Sequence, residues 1–176
     1  MTAPTAADLR AVENQLGRRP RGVHAVAHRC PCGDPDVLTT LPRLDDGTPF
    51  PTTYYLTCPR LTGAIGRLEG SGVMREMSER LETDDSLAAA YSRAHEAYLA
   101  ARVRLGGVPE IDGISAGGMP TRVKCLHVLA GHSLAAGPGV NPLGDETLAA
   151  LGAWWEGTSC HDARPPDGGT AADRAG

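Results

Sequence analysis

The sequence predicts an α+β fold, in which a small antiparallel β-sheet of about three strands packs against a mostly helical C-terminal half. Two observations support this prediction. Between residues 21 and 57, short alternating or β-branched runs are separated by turns rich in Pro and Gly. From residue 59 to residue 155, apolar side chains recur at helical spacing. The chain has 176 residues, of which 41% are hydrophobic, and this fits one domain with a single core.

The N-terminal residues 1–17 are predicted to form a docking helix. Thr5 can cap its first turn, Asp8 stands three residues later as in a capping box, and Gly17 can end it. Its apolar residues share one face: Leu9, Val12 and Leu16. Residues 18–160 are expected to form a single domain, and residues 161–176 a disordered tail, because that segment has no apolar content to order it.

Three strands follow the first helix. Residues Arg21 to Arg29 alternate as a strand with one mostly buried face, and the CPCGDP turn ends it. The second strand is expected over Asp36 to Leu41, and the third over the β-branched and aromatic run Thr52 to Thr57. The turn LDDGTPFP separates them, so the pattern predicts an antiparallel meander.

Helices are predicted for the remainder of the domain. Pro59 is placed at the first position of an amphipathic helix, a short helix is expected over Met74 to Leu81, and Asp84 or Asp85 caps a longer one. After a glycine-rich loop, Pro120 is expected to open a central apolar helix. The last helix is expected to be capped by Asp145.

Composition and charge exclude several classes of partner. The net charge is −4 and the two signs are mixed along the chain, so there is no basic patch for nucleic acid or an anionic membrane surface. The chain lacks an apolar run of about 18 residues and a signal-peptide pattern, and we expect a cytoplasmic protein. Lys124 is its only lysine; this bias toward Arg, with the abundance of Ala, Gly and Pro, suggests a GC-rich bacterial gene.

A metal site is the leading prediction. Cys125, His127 and His132 form a C-x-H-x4-H pattern, and thiolate with imidazole is a donor set that zinc and some iron sites favour. On a regular helix these three would not all face one ion, but Cys125 and His127 could share one if Cys125 lies at a frayed first turn. Cys58, at a strand-to-helix corner, is predicted to join them, so zinc or an iron-sulfur cluster would be held by Cys58, Cys125 and one or both histidines.

The other cysteines leave alternatives open. A set of Cys58, Cys125 and Cys160 would also suit zinc or an iron-sulfur cluster, and ordinary buried cysteines are an equally weighted alternative. Cys30 and Cys32 form a C-x-C pair without a second pair at zinc-ribbon spacing. We interpret that pair as a tight turn in preference to a metal knuckle.

The loop before the central helix can be interpreted as a cradle for a small anionic ligand. Gly117 and Gly118 allow backbone amides to approach a phosphate or carboxylate, and Arg122 and Lys124 add donors near the helix N-terminus. A flexible connection explains the same glycines equally well. The loop is not a Walker A motif, because Met119 and Pro120 stand where Lys and Ser or Thr should follow.

Two further functions remain open. In the first, Cys125 is the nucleophile and a histidine, His127, the base of a metal-free enzyme acting on a small phosphorylated or carboxylated substrate. In the second, the chain is a non-catalytic interaction domain that binds a protein partner through Trp154 and Trp155.

Three segments of the chain resemble the DUF501 family of bacterial proteins: RCPCGDPDVLTT, GTPFPTTYYLTCPRLTGAIGRLEGSG and GMPTRVKCLHVLAGHSLAAGPGVNPLGD. The resemblance runs from about Arg18 to Trp155. It implies no reaction, since the family is named for being uncharacterised. It does single out polar positions within apolar segments: Cys58, Lys124, Cys125, His127, Asn141 and Asp145.

Overall fold

The computed structural model describes residues 1–156 and Cys160. Within this part of the chain the elements are α1 (Ala6–Leu16), β1 (Val23–Arg29), β2 (Pro35–Thr40), β3 (Tyr54–Leu56), α2 (Pro59–Glu69), α3 (Val73–Thr83), α4 (Asp85–Val103), a 3-10 turn (Pro109–Ile111), α5 (Leu126–Ala136) and α6 (Pro142–Leu151). The predicted α+β class is confirmed. None of these helices is long and apolar enough to cross a membrane.

The three strands form an antiparallel meander in the order β1-β2-β3. Val26 of β1 pairs with Leu38 of β2, and Leu38 pairs in turn with Tyr55 of β3. Every residue of β2 is buried, as expected for a central strand that is covered on both faces.

Helices cover the two faces of the sheet. On one face, Val12 of α1 packs against Val26 and Leu38. On the other face, α5 contacts all three strands. Helix α5 approaches β3 closely at Gly131, which has no side chain. A Cβ at this position would lie 3.0 Å from the carbonyl oxygen of Tyr54. The central position predicted for this helix is therefore correct.

Helix caps explain most of the observed boundaries. Thr5 and Asp8 form the predicted capping box at α1, Pro59 opens α2 behind the N-cap Cys58, and Asp84 caps α4. Asn141 accepts the amide of Gly144 and so caps α6. The prediction that Asp145 caps this helix is wrong by one turn, because the helix already begins at Pro142.

The start of α5 also differs from the prediction. Pro120 does not open the helix, which begins at Leu126. Instead, the amide of Lys124 donates to the carbonyl of Gly117 at 2.8 Å, which closes the intervening residues into a compact loop. Cys125 is therefore the N-cap of α5, with extended backbone angles, and this position decides what its thiol can contact.

The predicted division into a docking helix, a domain and a tail stays a prediction. Residues 161–176, which the sequence predicts to be disordered, lie outside the described residues.

Candidate functional site

Three cysteines from distant parts of the chain meet at one end of the sheet. Cys30 and Cys32 lie in the turn between β1 and β2, and Cys160 reaches them from beyond α6. The Sγ atom of Cys160 lies 3.4 Å from the Sγ atoms of both Cys30 and Cys32. All three sulfurs lie within 4.8 Å of one another, in range of a single metal ion.

The β1–β2 turn holds its two cysteines in a fixed geometry. The amide of Cys30 donates to the carbonyl of Asp34 at 2.9 Å, and the amide of Gly33 donates to the carbonyl of Cys30 at 2.8 Å. Gly33 has a φ of 93°, which glycine adopts without strain. The turn closes tightly and directs both thiols toward Cys160.

Backbone amides face the sulfurs of this cluster. The amide of Cys32 lowers the pKa of Cys30, and the amides of Asp34 and Cys160 lower that of Cys32. Cys58 lies beside Cys160, and its Sγ accepts the amide of Leu61 at 3.5 Å. Because an N–H donor stabilises a thiolate more than a thiol, these contacts suit sulfurs that bind a cation.

Burial has the opposite effect on the same thiols. It raises the pKa of Cys30 to about 11, and it also raises the pKa of Cys58 and of Cys160 above the ordinary value. At Cys32 burial also raises the pKa, but the amides of Asp34 and Cys160 outweigh it and lower the pKa overall. Buried thiolates at this position therefore need a compensating positive charge, which a divalent cation supplies.

A second cluster lies at the N-terminus of α5. The Nδ1 atom of His127 is 3.8 Å from the Sγ atom of Cys125 and 3.1 Å from Oε1 of Glu69, at the last turn of α2. The Nε2 atom of His127 lies 3.1 Å from the carbonyl oxygen of Thr62. Glu69 also accepts the amide of Leu126 at 2.7 Å, so its carboxylate caps α5 from another helix. Glu69, Cys125 and His127 are also in range of a single metal ion.

The electrostatics of this cluster centre on the imidazole. Burial lowers the pKa of His127, but hydrogen bonds and charges from Cys125 and Glu69 outweigh it and raise the pKa to about 10. The pKa of Glu69 is lowered, because bonds to His127 and the α5 amides outweigh the effect of burial. The two side chains therefore form an ion pair at neutral pH.

The third predicted histidine lies elsewhere, inside the core. The ring of His132 stacks on Tyr54, with centroids 5.5 Å apart, and meets the edge of Tyr98 at 5.3 Å. Its Nδ1 lies 3.3 Å from the side-chain nitrogen of Asn141. Because that amide nitrogen is a donor, Nδ1 of His132 accepts the hydrogen bond. Burial lowers the pKa of His132 to about 4, which keeps the ring neutral.

Comparison with known proteins identifies the family. The family model described as "Protein of unknown function (DUF501)" matches residues 26–149, about 70% of the chain. The chain belongs to the DUF501 family. The predicted resemblance is confirmed, although the match begins later and ends earlier than expected. No curated protein and no solved structure matches this chain.

The four metal ligands predicted from the sequence do not meet at one point in the described part of this DUF501 chain. Cys125 and His127 lie together, as the frayed-turn argument required, because Cys125 is an N-cap and lies outside the first helical turn. Cys58 lies at the far end of α2, beside Cys160. His132 faces Tyr54 and Tyr98. Ideal helical spacing places positions 125 and 132 on one face but two turns apart, about 10 Å along the axis, too far for both side chains to bind one ion.

The predicted anion-binding residues have structural contacts. A Cβ at Gly117 would lie 3.1 Å from the side chain of Val128, and one at Gly118 would lie 2.9 Å from Cγ of Lys124, so both glycines permit close packing. The carbonyl of Arg122 accepts the hydroxyl of Tyr91. Among the remaining two, Asp145 accepts the amide of Gly139 and Asn141 caps α6. Anion binding by this set stays a prediction.

Two features of these sites escaped the sequence interpretation. The C-x-C pair did indicate a possible metal site, since two thiols precede Gly33 in a tight turn. Its partner Cys160 lies 130 residues from Cys30, and sequence spacing does not connect them. Glu69 gave no signal, because an acidic residue at the end of an amphipathic helix is ordinary. The Trp pair, predicted as a partner surface, is partly buried against the core.

Proposed function

We propose that this DUF501 protein binds one zinc ion through Cys30, Cys32 and Cys160, with Cys58 as the fourth ligand. The observation that carries the proposal is the pair of 3.4 Å sulfur contacts that Cys160 makes with Cys30 and Cys32. These thiols are free in the described chain, and Cys160 comes from a segment far along the sequence from the turn that holds Cys30 and Cys32.

The sulfur separations favour a single tetrahedral ion. With a Zn–S bond of about 2.3 Å, tetrahedral geometry separates neighbouring sulfurs by about 3.8 Å, close to the observed contacts. A disulfide would require about 2.05 Å. In a 4Fe–4S cluster each thiolate ligates a different iron, and in a 2Fe–2S cluster only two thiolates share an iron, whereas three sulfurs here lie within 4.8 Å of one another. These separations support zinc over a cluster.

Cys58 supports closure of the site. It is fully buried, its sulfur accepts a backbone amide at the start of α2, and it interacts with Cys160. Its sulfur lies outside the group of three that are all within 4.8 Å of one another, so its side chain would have to move toward Cys30 and Cys32 to complete the site. Four thiolates leave no open position, which is the pattern of structural zinc. The ion would connect Cys30 and Cys32 of the β1–β2 turn and Cys58 at the start of α2 to Cys160, which follows α6. It would thereby stabilise the contact of Cys160 with the sheet.

Elemental analysis of protein expressed with zinc tests the proposal. We expect about one zinc ion per wild-type chain and a loss of most of it in Cys30→Ser and in Cys160→Ser. Cys125→Ser is the matched control, since it removes the one cysteine outside the cluster, and it should keep its zinc.

Two results would refute this assignment. Zinc that survives both cluster substitutions would remove the site altogether. Bound iron with visible thiolate absorption, in place of zinc, would show that the ion has been wrongly identified.

A further inference from the structure

We propose that Cys125 is the nucleophile of a second site, in which His127 is held as an imidazolium, Glu69 positions it, and the substrates are activated acyl compounds such as thioesters or esters. This inference goes beyond the zinc centre and shares no residue with it. It rests on the contacts of the α5 N-terminus with α2.

Hydrogen-bond geometry assigns the protonation of His127. Its Nε2 faces the carbonyl of Thr62 at 3.1 Å, and a carbonyl only accepts, so Nε2 carries a proton. Its Nδ1 faces the carboxylate of Glu69 at 3.1 Å, which is also an acceptor. Both ring nitrogens therefore donate, and the ring is positively charged. The charges that act on it are those of Glu69, from α2, and of Cys125.

The thiol of Cys125 is placed to use this charge. Its sulfur lies 3.8 Å from Nδ1 of His127, is only partly buried, and makes no capping bond to α5. A neighbouring imidazolium and a helix N-terminus both favour the thiolate form of a cysteine. Its place beside the imidazolium, on a residue that is only partly buried, is the arrangement of a cysteine nucleophile paired with a histidine.

Glu69 acts as a positioning residue. Its Oε1 accepts the amide of Leu126 at 2.7 Å as well as Nδ1 of His127, so it ties the imidazole to the helix terminus. These two donors occupy both lone pairs of that oxygen. A metal ion bound to Nδ1 of His127 would displace the bond between that nitrogen and Glu69, and for this reason we favour an ion pair over a second metal site.

A thiolate beside a proton donor suits acyl transfer. The Cys125 sulfur uses its electron pair to form a bond to the acyl carbon, and the bond from that carbon to the leaving oxygen or sulfur breaks. The leaving group takes that pair and the proton from Nδ1 of His127. Water then attacks the resulting thioester, returns a proton to His127, releases a carboxylic acid and regenerates the thiolate.

Site-resolved alkylation of the full-length protein is the first test. An ordinary thiol is only about 0.3% ionised at pH 6. A cysteine that stays ionised at pH 6 has a far larger thiolate fraction than an ordinary cysteine, but each of its thiolates is a weaker nucleophile. The net effect is an alkylation rate about tenfold higher. We expect iodoacetamide to modify Cys125 at pH 6 about tenfold faster in the folded chain than in the unfolded chain, as measured by peptide mass spectrometry.

Two variants separate positioning from folding. His127→Gln should lower the alkylation rate of Cys125 to that of the unfolded chain. Glu69→Gln keeps an acceptor for the amide of Leu126, and circular dichroism checks that it folds. In this variant nitrogen-resolved NMR should show His127 losing its proton at a lower pH than in the wild type, a readout that a merely structural role for Glu69 would not change.

Reaction with p-nitrophenyl acetate tests the substrate class. We expect a burst of about one p-nitrophenolate per chain and an acetyl group on Cys125, both absent from Cys125→Ser. Slow alkylation of Cys125, or an alkylation rate that His127→Gln does not change, would refute the proposal that Cys125 is the nucleophile. Rapid alkylation without acetyl transfer would overturn the acyl substrate.

The metal content distinguishes this inference from the zinc proposal. A second zinc ion per chain that is lost in Cys125→Ser would convert this cluster to a metal site and refute the ion pair. Failure of the Cys30 and Cys160 variants to lose zinc would refute only the first proposal.

Discussion

Acidification should destabilise the chain through His132. Burial between Tyr54 and Tyr98 lowers the pKa of this ring from 6.5 to about 4. Between these values the unfolded chain takes up a proton that the folded chain refuses, so the free energy of unfolding falls as the pH falls, by about 1.4 kcal/mol per unit. From pH 7.5 to pH 5 the contribution of His132 amounts to about 2 kcal/mol.

The assay compares urea unfolding at these two pH values for the wild type and for His132→Phe. The substituted ring keeps an aromatic group beside Tyr54 but cannot take a proton. The two proteins share the cysteine cluster and every other histidine, so the difference in their pH dependence isolates His132. We expect the wild type to lose about 2 kcal/mol more than the variant on acidification.

Equal pH dependence of the two proteins would contradict this prediction, because it would mean that the ring is solvated or charged in the folded state. Loss of zinc from His132→Phe would contradict it in another way, since it would restore His132 as a metal ligand.

Two further predictions concern packing and capping. Gly144→Ala should lower the unfolding free energy by at least about 2 kcal/mol in thermal melting, because its Cβ would collide with the carbonyl oxygen of Leu129. Gly66→Ala is its control, since a Cβ there meets nothing within 4 Å, and unchanged or higher stability is expected. Asp8→Asn should cost about 2 kcal/mol in urea unfolding, since it weakens the capping box of α1 and the two-point contact with Arg29; a loss within error would refute this role.

Local chemistry made much of the fold predictable. The caps Thr5 and Asp84 and the N1 residue Pro59 mark helix starts by interactions within one turn, so the sequence alone locates them. The start of α5 could not be found in this way. Pro120 fits the first turn of a helix, but residues 117–124 instead form a loop that packs closely on Val128, and such a contact depends on tertiary packing.

The candidate sites show the same division. Cys125 and His127 are two residues apart, so the sequence alone suggests that they pair. They are in contact because Cys125 is the N-cap of α5 and lies outside its first turn. Cys160 and Glu69 are brought to their partners by the chain's path over many elements. Spacing rules for metal ligands apply to neighbours along the chain, and for this reason the sequence favours a turn over a metal knuckle at Cys30 and Cys32.

X-ray absorption at the zinc edge identifies the atoms that bind the proposed zinc ion. For the purified wild-type protein we expect four sulfur neighbours at about 2.3 Å from the zinc and no nitrogen or oxygen bound to it. A first shell that contains imidazole nitrogen or carboxylate oxygen would contradict it, because the zinc would then be bound away from Cys30, Cys32, Cys58 and Cys160.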